Sequence, residues 1–263
     1  MAERSPATRR TLSALLIAVF AFLYIPIGVV VALSFNEGGL PTVWSGFSLK
    51  WYGSLAGNSQ ILNAALNTLV VAVVSTLIAT LLGTLLAIGV EIRRRKGRAL
   101  EALIFAPMII PDIVLAIALL SFFSMLNFRL GLHTIILAHV VFNIAFVCAV
   151  VRARLKSFDW SIVEASADLG ASSLTTFRRV TLPMIAPAVI AGALLAFTLS
   201  VDEFIIAFFT AGAGRASTTL PMQIYSMIRF GVTPEINALA TLVIAVSVTA
   251  LALSQRMNRT IAP

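Results

Sequence analysis

Apolar residues run through this chain in long unbroken stretches, and the polar residues gather between them. A helix that crosses a bilayer needs about 20 mostly apolar residues. Six stretches qualify: 11–35, 64–90, 99–126, 133–151, 186–211 and 234–254. A bilayer offers the backbone no water, so spanning segments close their hydrogen bonds within a helix or around a closed barrel. Barrel strands alternate in polarity, and these stretches do not. The pattern predicts an all-α membrane protein of six transmembrane helices, one domain over residues 1–263.

Several stretches carry polar or helix-breaking residues that predict local features. The first is about 25 residues long, whereas the apolar region of a signal peptide has about 7–15. It therefore reads as a retained helix, bent near Pro26. In the second, Gly83 and Ala87 stand at the small-xxx-small spacing that permits close helix approach. Pro107 and Pro111 break the third, with Asp112 just after the second proline. In the fourth, His139 and Asn143 lie one turn apart and predict hydrogen bonds between helices.

The fifth stretch holds two adjacent acids, Asp202 and Glu203, near its external end. An acid at the centre of a spanning helix costs about 2.5–3.5 kcal/mol on insertion scales, which asks for a role. Asp202, Glu203 and, less directly, Asp112 read as a negative lining for a cationic solute. The competing readings are an interhelical ion pair or an outward snorkel for the first two, and a helix cap for Asp112. Glu101 is expected to pair with nearby arginines.

The segments between spans are also patterned. Gly38, Gly39, Pro41 and Gly46 predict an irregular first external loop, whose Trp44, Phe47, Trp51 and Tyr52 suit a membrane interface. In 152–185, Ser161 and Glu164 have capping-box spacing. Ile162, Ala165 and Leu169 form a short apolar stripe, leaving Ser166 and Asp168 for water. Gly170 suits the left-handed position that ends a helix. Ser172 or Ser173 then caps a second helix reaching 177–181, which Pro183 and Pro187 end before the fifth span. A short amphipathic helix over 222–230, ended by Gly231, precedes Pro234 at the first position of the last helix.

Composition narrows the class. Only 11% of residues are charged, against about 25% in soluble domains, and the mean hydropathy is +1.00. The net charge of +8 is positional. With the N-terminus inside, 15 of the 19 Lys and Arg residues fall on the cytoplasmic side, among them Arg4, Arg9, Arg10, the run Arg93–Arg98, Arg152, Arg178, Arg179, Arg256 and Arg259. The positive-inside rule thus predicts cytoplasmic N- and C-termini. The basic run faces anionic lipid and needs no nucleic acid. Cys148 is the sole cysteine, so neither an intrachain disulfide nor a cysteine metal framework can form. No P-loop occurs, and no His, Cys or acid cluster has catalytic or metal-binding spacing. The chain reads as a non-enzyme without a cofactor of its own.

One polar insert goes further. Residues 164–183 read E-A-S-A-D-L-G, nine residues, then V-T-L-P. This resembles the EAA loop of permease subunits in type I ABC importers, E-A-A, three residues, G, nine residues, I-x-L-P. Glu164, Ala165, Gly170, Leu182 and Pro183 match; Ser166 and Val180 are mild departures. The resemblance extends over most of the chain and is closest to the shorter, second permease of spermidine/putrescine importers. It includes Ser48–Tyr52, Pro111–Val114, Leu199–Phe204, Ile224–Met227 and Pro234–Leu239. Permeases for opines and other small organic solutes share parts of these stretches. The resemblance implies a subunit of the bacterial inner membrane that carries a small cationic solute inward. Its implied partners are a second permease, two ATPase subunits that bind ATP and Mg, and an external substrate-binding protein. The EAA loop would dock on one ATPase. A secondary transporter without ATPase partners is the rival, and it leaves the 164–183 pattern unexplained.

Overall fold

A computed structural model describes residues 6–39, 43–92 and 98–261, with side chains over 11–39, 43–92 and 101–249. Arg4, Pro41 and the run from Arg93 to Lys96 lie outside the described residues, as do the side chains of Arg9, Arg10, Arg98, Arg256 and Arg259. The described backbone is helical, and its only β pairing is an isolated bridge between Asn36 and Phe47. It falls into two compact units, Met1–Leu62 with Ile224–Pro263, and Asn63–Gln223.

In the first unit, α1 (Pro6–Leu33) and α2 (Lys50–Gly57) each pack on α12 (Pro234–Ile261). Pro26 sits inside α1 without interrupting it. The first loop is irregular up to α2, as expected, and it is built around a fully buried Asn36. Its Nδ2 donates to the Val43 carbonyl at 2.7 Å, and its Oδ1 accepts from the Ser45 N–H at 2.8 Å. Trp51 Nε1 donates to the Asn36 carbonyl, Tyr52 hydrogen-bonds Ser34, and Phe35 stacks on Phe47. A buried amide that meets several partners holds a loop in one shape, because a buried polar group without partners is expensive. Ser54 donates to Glu235 in the first turn of α12.

The second unit contains the long helices α3 (Ser59–Ile92), α6 (Leu132–Lys156) and α9 (Leu182–Asp202), with α4 (Arg98–Ile109), α5 (Asp112–Met125) and α10 (Ile205–Thr210). The small residues foreseen on α3 do bring it close to α6: a Cβ built on Gly83 would stand 2.8 Å from the Val147 Cβ and 3.0 Å from the Ile144 carbonyl. Gly192 of α9 abuts the same Val147. The three long helices share an apolar core that includes Ala87 of α3, Val147, Val151 and Leu155 of α6, and Ile185 and Ala196 of α9, with Phe158 beyond α6. Thr134 ties the start of α6 to the end of α10 by donating to the Thr210 carbonyl at 2.7 Å.

Among the described residues four helices are long and apolar enough to cross a membrane: Thr11–Leu33, Ser59–Ile92, Leu132–Lys156 and Ser173–Asp202. The expected third span departs from one kinked helix. Pro107 lies inside α4, and the chain breaks only at Pro111, where the path bends by 114° from α4 to α5. Pro111 adopts φ −55° and ψ 136°, an extended conformation outside the α region. The fifth span also differs, since its helix stops at Asp202 and α10 restarts after Glu203 and Phe204. In α12 the apolar stretch is the shorter Pro234–Thr249. Before it, α11 (Leu220–Arg229) runs to Gly231, whose φ is +120°.

Candidate coupling loop and intramembrane polar cluster

The segment after α6 folds as α7 (Ser161–Asp168), a turn, α8 (Ser173–Thr176) and a π-helical turn over Phe177–Thr181 that continues into α9. The expected capping box does not form. Asp159 caps from outside: its Oδ1 accepts from the Ser161 N–H at 3.0 Å and from the Ser161 hydroxyl at 2.7 Å. These two bonds hold the Asp159 carboxyl below its ordinary range, the hydroxyl first. The cap is therefore complete above the ordinary Asp pKa and is lost only as pH falls through the lowered value. Glu164 remains in the first turn of α7, exposed, where a carboxylate complements the helix dipole.

Gly170 ends α7 as foreseen, with φ +82°. The Ala171 N–H reaches the Ser166 carbonyl and the Gly170 N–H reaches the Ala167 carbonyl, the two bonds of a Schellman motif. Ser172 caps α8 by accepting from the Thr175 N–H. The turn packs through Ser166, which hydrogen-bonds Thr176 at 3.0 Å. Ser166 therefore faces its neighbour helix, contrary to the water-facing position expected for it. Ile162, Ala165 and Leu169 are exposed, Leu169 at 89%, and α7 buries none of its residues.

Pro183 and Pro187 do not end the second helix. In the π turn the Leu182 N–H bonds the Phe177 carbonyl five residues back. One wide turn just before Pro183 leaves room for a ring that would crowd a regular turn. Pro183 then sits at the start of α9, where an N–H is least needed. Leu182 is half-buried and Pro183 exposed.

The three acids expected along a solute path occupy different settings. Asp202 is the last residue of α9 and is exposed. Glu203 is in the break, its side chain only 7% exposed. It accepts from the Ala207 N–H at 3.1 Å, with the Ile205 and Ile206 N–H groups also directed at it, so it caps α10. Asp112 starts α5, exposed, within electrostatic reach of Glu203.

The bonding expected of His139 is present. Its Nδ1 is 2.7 Å from the Ser200 hydroxyl, which is 3.1 Å from that of Ser75, so one polar chain joins α6, α9 and α3. The other ring nitrogen lies 3.9 Å from Glu203 Oε2. Asn143 is fully buried, and neither of its amide atoms has a hydrogen-bond partner. Composition alone did not reveal Ser75 and Ser200 as members, because single serines in apolar helices carry no periodic signal. Glu101 meets an arginine as expected, Arg152 of α6. Among the described residues no group of three His, Cys, Asp or Glu could hold a metal ion.

Residues 79–263 match the family described as binding-protein-dependent transport system inner membrane component. The chain is 39% identical over 248 residues to the spermidine/putrescine transport system permease protein PotC of Haemophilus influenzae, covering 94% of this chain and 96% of that protein. It is 44% identical over 238 residues to the putrescine transport system permease protein PotI of Escherichia coli, covering 88% and 84%. A chain of a bacterial ABC transporter involved in the import of the acidic polysaccharide alginate shares the fold, with a TM-score of 0.75 at 15% identity over 100% of this chain and 99% of that one. The helical architecture is that of a type I ABC importer permease, and the chain belongs to the family of binding-protein-dependent transport system inner membrane components.

Proposed function

We propose that this chain is a permease subunit of an ATP-driven importer of small organic polycations, spermidine and putrescine foremost. The observation that carries the reading is the identity to PotC and PotI across nearly the whole length. In this reading 1–263 is a single permease domain with six spans and both termini in the cytoplasm. The bent pair α4–α5 forms the third span, and α12 completes the sixth. The chain pairs with a second permease and an external binding protein, and two separate ATPase subunits hydrolyse the ATP.

The loop 152–185 is proposed as the docking element for an ATPase, with Glu164, Ala165, Gly170, Leu182 and Pro183 as its coupling residues. Its support is the exposed apolar face of α7, set at a fixed angle by the Gly170 turn and the Ser166–Thr176 bond. Asp202 and Asp112 are proposed to line the solute path, and Glu203 to hold the break in the fifth span while adding negative potential.

The test is uptake of labelled spermidine and putrescine in cells lacking this chain, with and without the wild-type copy. ATP-dependent uptake should return with the wild-type copy, and with Asp202→Asn it should fall at least several-fold at equal protein level. Failure of the wild-type copy to restore uptake of either amine, while present in the membrane, would overturn the solute assignment. Full uptake by Asp202→Asn would remove Asp202 from the path.

A further inference from the structure

Three helices of the second unit contribute charged side chains to one point at the base of α6. Arg152 donates from Nη2 to Glu101 Oε1 of α4 at 2.5 Å, and its Nε lies 3.6 Å from Glu91 Oε2 of α3. The guanidinium also stands over the Phe105 ring, 5.9 Å from its centre. Glu91 is buried and Arg152 nearly so, while Glu101 is half-buried, with side-chain exposures of 1%, 14% and 29%.

Such a cluster is a poor device for stability alone. Desolvating ions costs about what their attraction returns, and well-packed apolar residues often serve as well or better. The cluster does offer directional linkage, because a guanidinium presents donors in a rigid fork and can hold two carboxylates on two different helices. Its position ties that linkage to the loop. Arg152 lies one turn before Lys156, the end of α6, and the chain then passes through Phe158 and Trp160 directly into α7. Phe158 and Trp160 pack edge to face, and they share an apolar core with Leu155, Ile185 and Phe105. Val163 of the exposed helix that follows packs against the same core as Phe105, whose ring lies under the Arg152 guanidinium.

We propose that Arg152 is a coupling residue: it clamps α3 and α4 to the end of α6, so that a push on the 152–185 loop moves these helices as one body. This rests on the docking role proposed for that loop. Energetic coupling between distant sites needs a packed element with two discrete arrangements that both sites bias. Without the clamp, the loop can move while α3 and α4 lag behind. Lysine is no substitute, since one ammonium cannot reproduce the fork.

The experiment uses the assembled complex in proteoliposomes, with a single cysteine replacing Val114 on α5 in a Cys148→Ser background. ATP should change the rate at which a thiol reagent labels that cysteine, which reports movement of the spans whatever solute is carried. In Arg152→Gln, ATP hydrolysis should persist while the ATP-dependent change in labelling shrinks about 2- to 30-fold. Exchanging the charges, Arg152→Glu with Glu101→Arg, keeps two carboxylates and one guanidinium and should restore much of the response. An Arg152→Gln complex that responds to ATP like wild type overturns the clamp. So does a loss that the exchange fails to repair. Uptake of labelled spermidine is measured on the same vesicles: a wild-type complex that responds to ATP yet moves no spermidine refutes the solute assignment, while the labelling still decides the role of Arg152.

Discussion

At the scale of single residues, Gly170 and Ser200 show how one atom group fixes local structure. Gly170 has φ +82° with open space where a Cβ would stand, so a side chain there meets no clash and only backbone strain. That strain is about 1–2 kcal/mol, and greatest for a β-branched residue. Gly170→Val should leave the chain inserted at normal level while cutting ATP-driven uptake, because α7 changes its angle; vesicle uptake at matched protein level checks this, and unchanged uptake would show that the turn is dispensable. Ser200 is the link between His139 and Ser75. Ser200→Ala removes the partner of a buried ring nitrogen and should cost about 0.5–2 kcal/mol, the range set by buried polar groups and by hydrogen bonds measured in membranes. Thermal unfolding in detergent would detect it, and an unshifted midpoint would mean that the histidine finds another partner.

At the scale of elements, the sequence made some features legible and hid others for identifiable reasons. Helix ends with a stereochemical requirement were readable: Gly170, Gly231 and Ser172 act at the predicted places, since the left-handed region and the N-cap each favour few residue types. Long apolar helices were readable because bilayer thickness sets their length. Breaks were less so. Pro107 and Pro183 both sit within helical stretches, one inside α4 and one at the start of α9 beside a π turn, and local sequence does not say when such a turn will form. The chain breaks at Glu203 and Phe204 without a proline or glycine, held by a carboxylate that caps the next helix. The orientation of α7 was also hidden, because Ser166 finds Thr176 only once the turn has formed.

Gly83 tests the packing of α3 on α6. The nearest obstacle to a Cβ includes the Ile144 carbonyl, a backbone atom that cannot rotate away. Gly83→Ala should therefore cost about 1–3 kcal/mol through overpacking. Gly28 in α1 has nothing within 4 Å of its would-be Cβ. There alanine should be neutral or slightly stabilising, since glycine is the weaker helix former by about 1 kcal/mol. Paired unfolding measurements on the two variants separate packing from propensity, and equal effects would rule out a close α3–α6 contact.

At the scale of the whole molecule, the apolar surface divides into two kinds. Most of it lies on helices long enough to cross a membrane, where lipid is the natural cover. Leu169 belongs to the rest: it is 89% exposed at the C-terminal cap of a short helix beyond the apolar stretches, preceded by Asp168 and followed by a glycine turn. Water or another protein must cover it, and moving such a side chain out of water into an apolar seat is favourable by about 1.5–3 kcal/mol. Leu169→Asp therefore separates folding from assembly. It buries no new charge within the chain, so stability should stay within about 0.5 kcal/mol of wild type, the usual range for surface changes. In the complex it would place a carboxylate in an apolar seat, and losing the burial of one leucine costs about 2 kcal/mol, some thirtyfold in affinity. The expected result is a normally inserted and normally stable permease from which the ATPase no longer co-purifies, with ATP-driven uptake lost in parallel. Retained ATPase at wild-type stoichiometry would mean that α7 meets its partner through Glu164 and the polar face instead, and the docking surface would have to be redrawn around them.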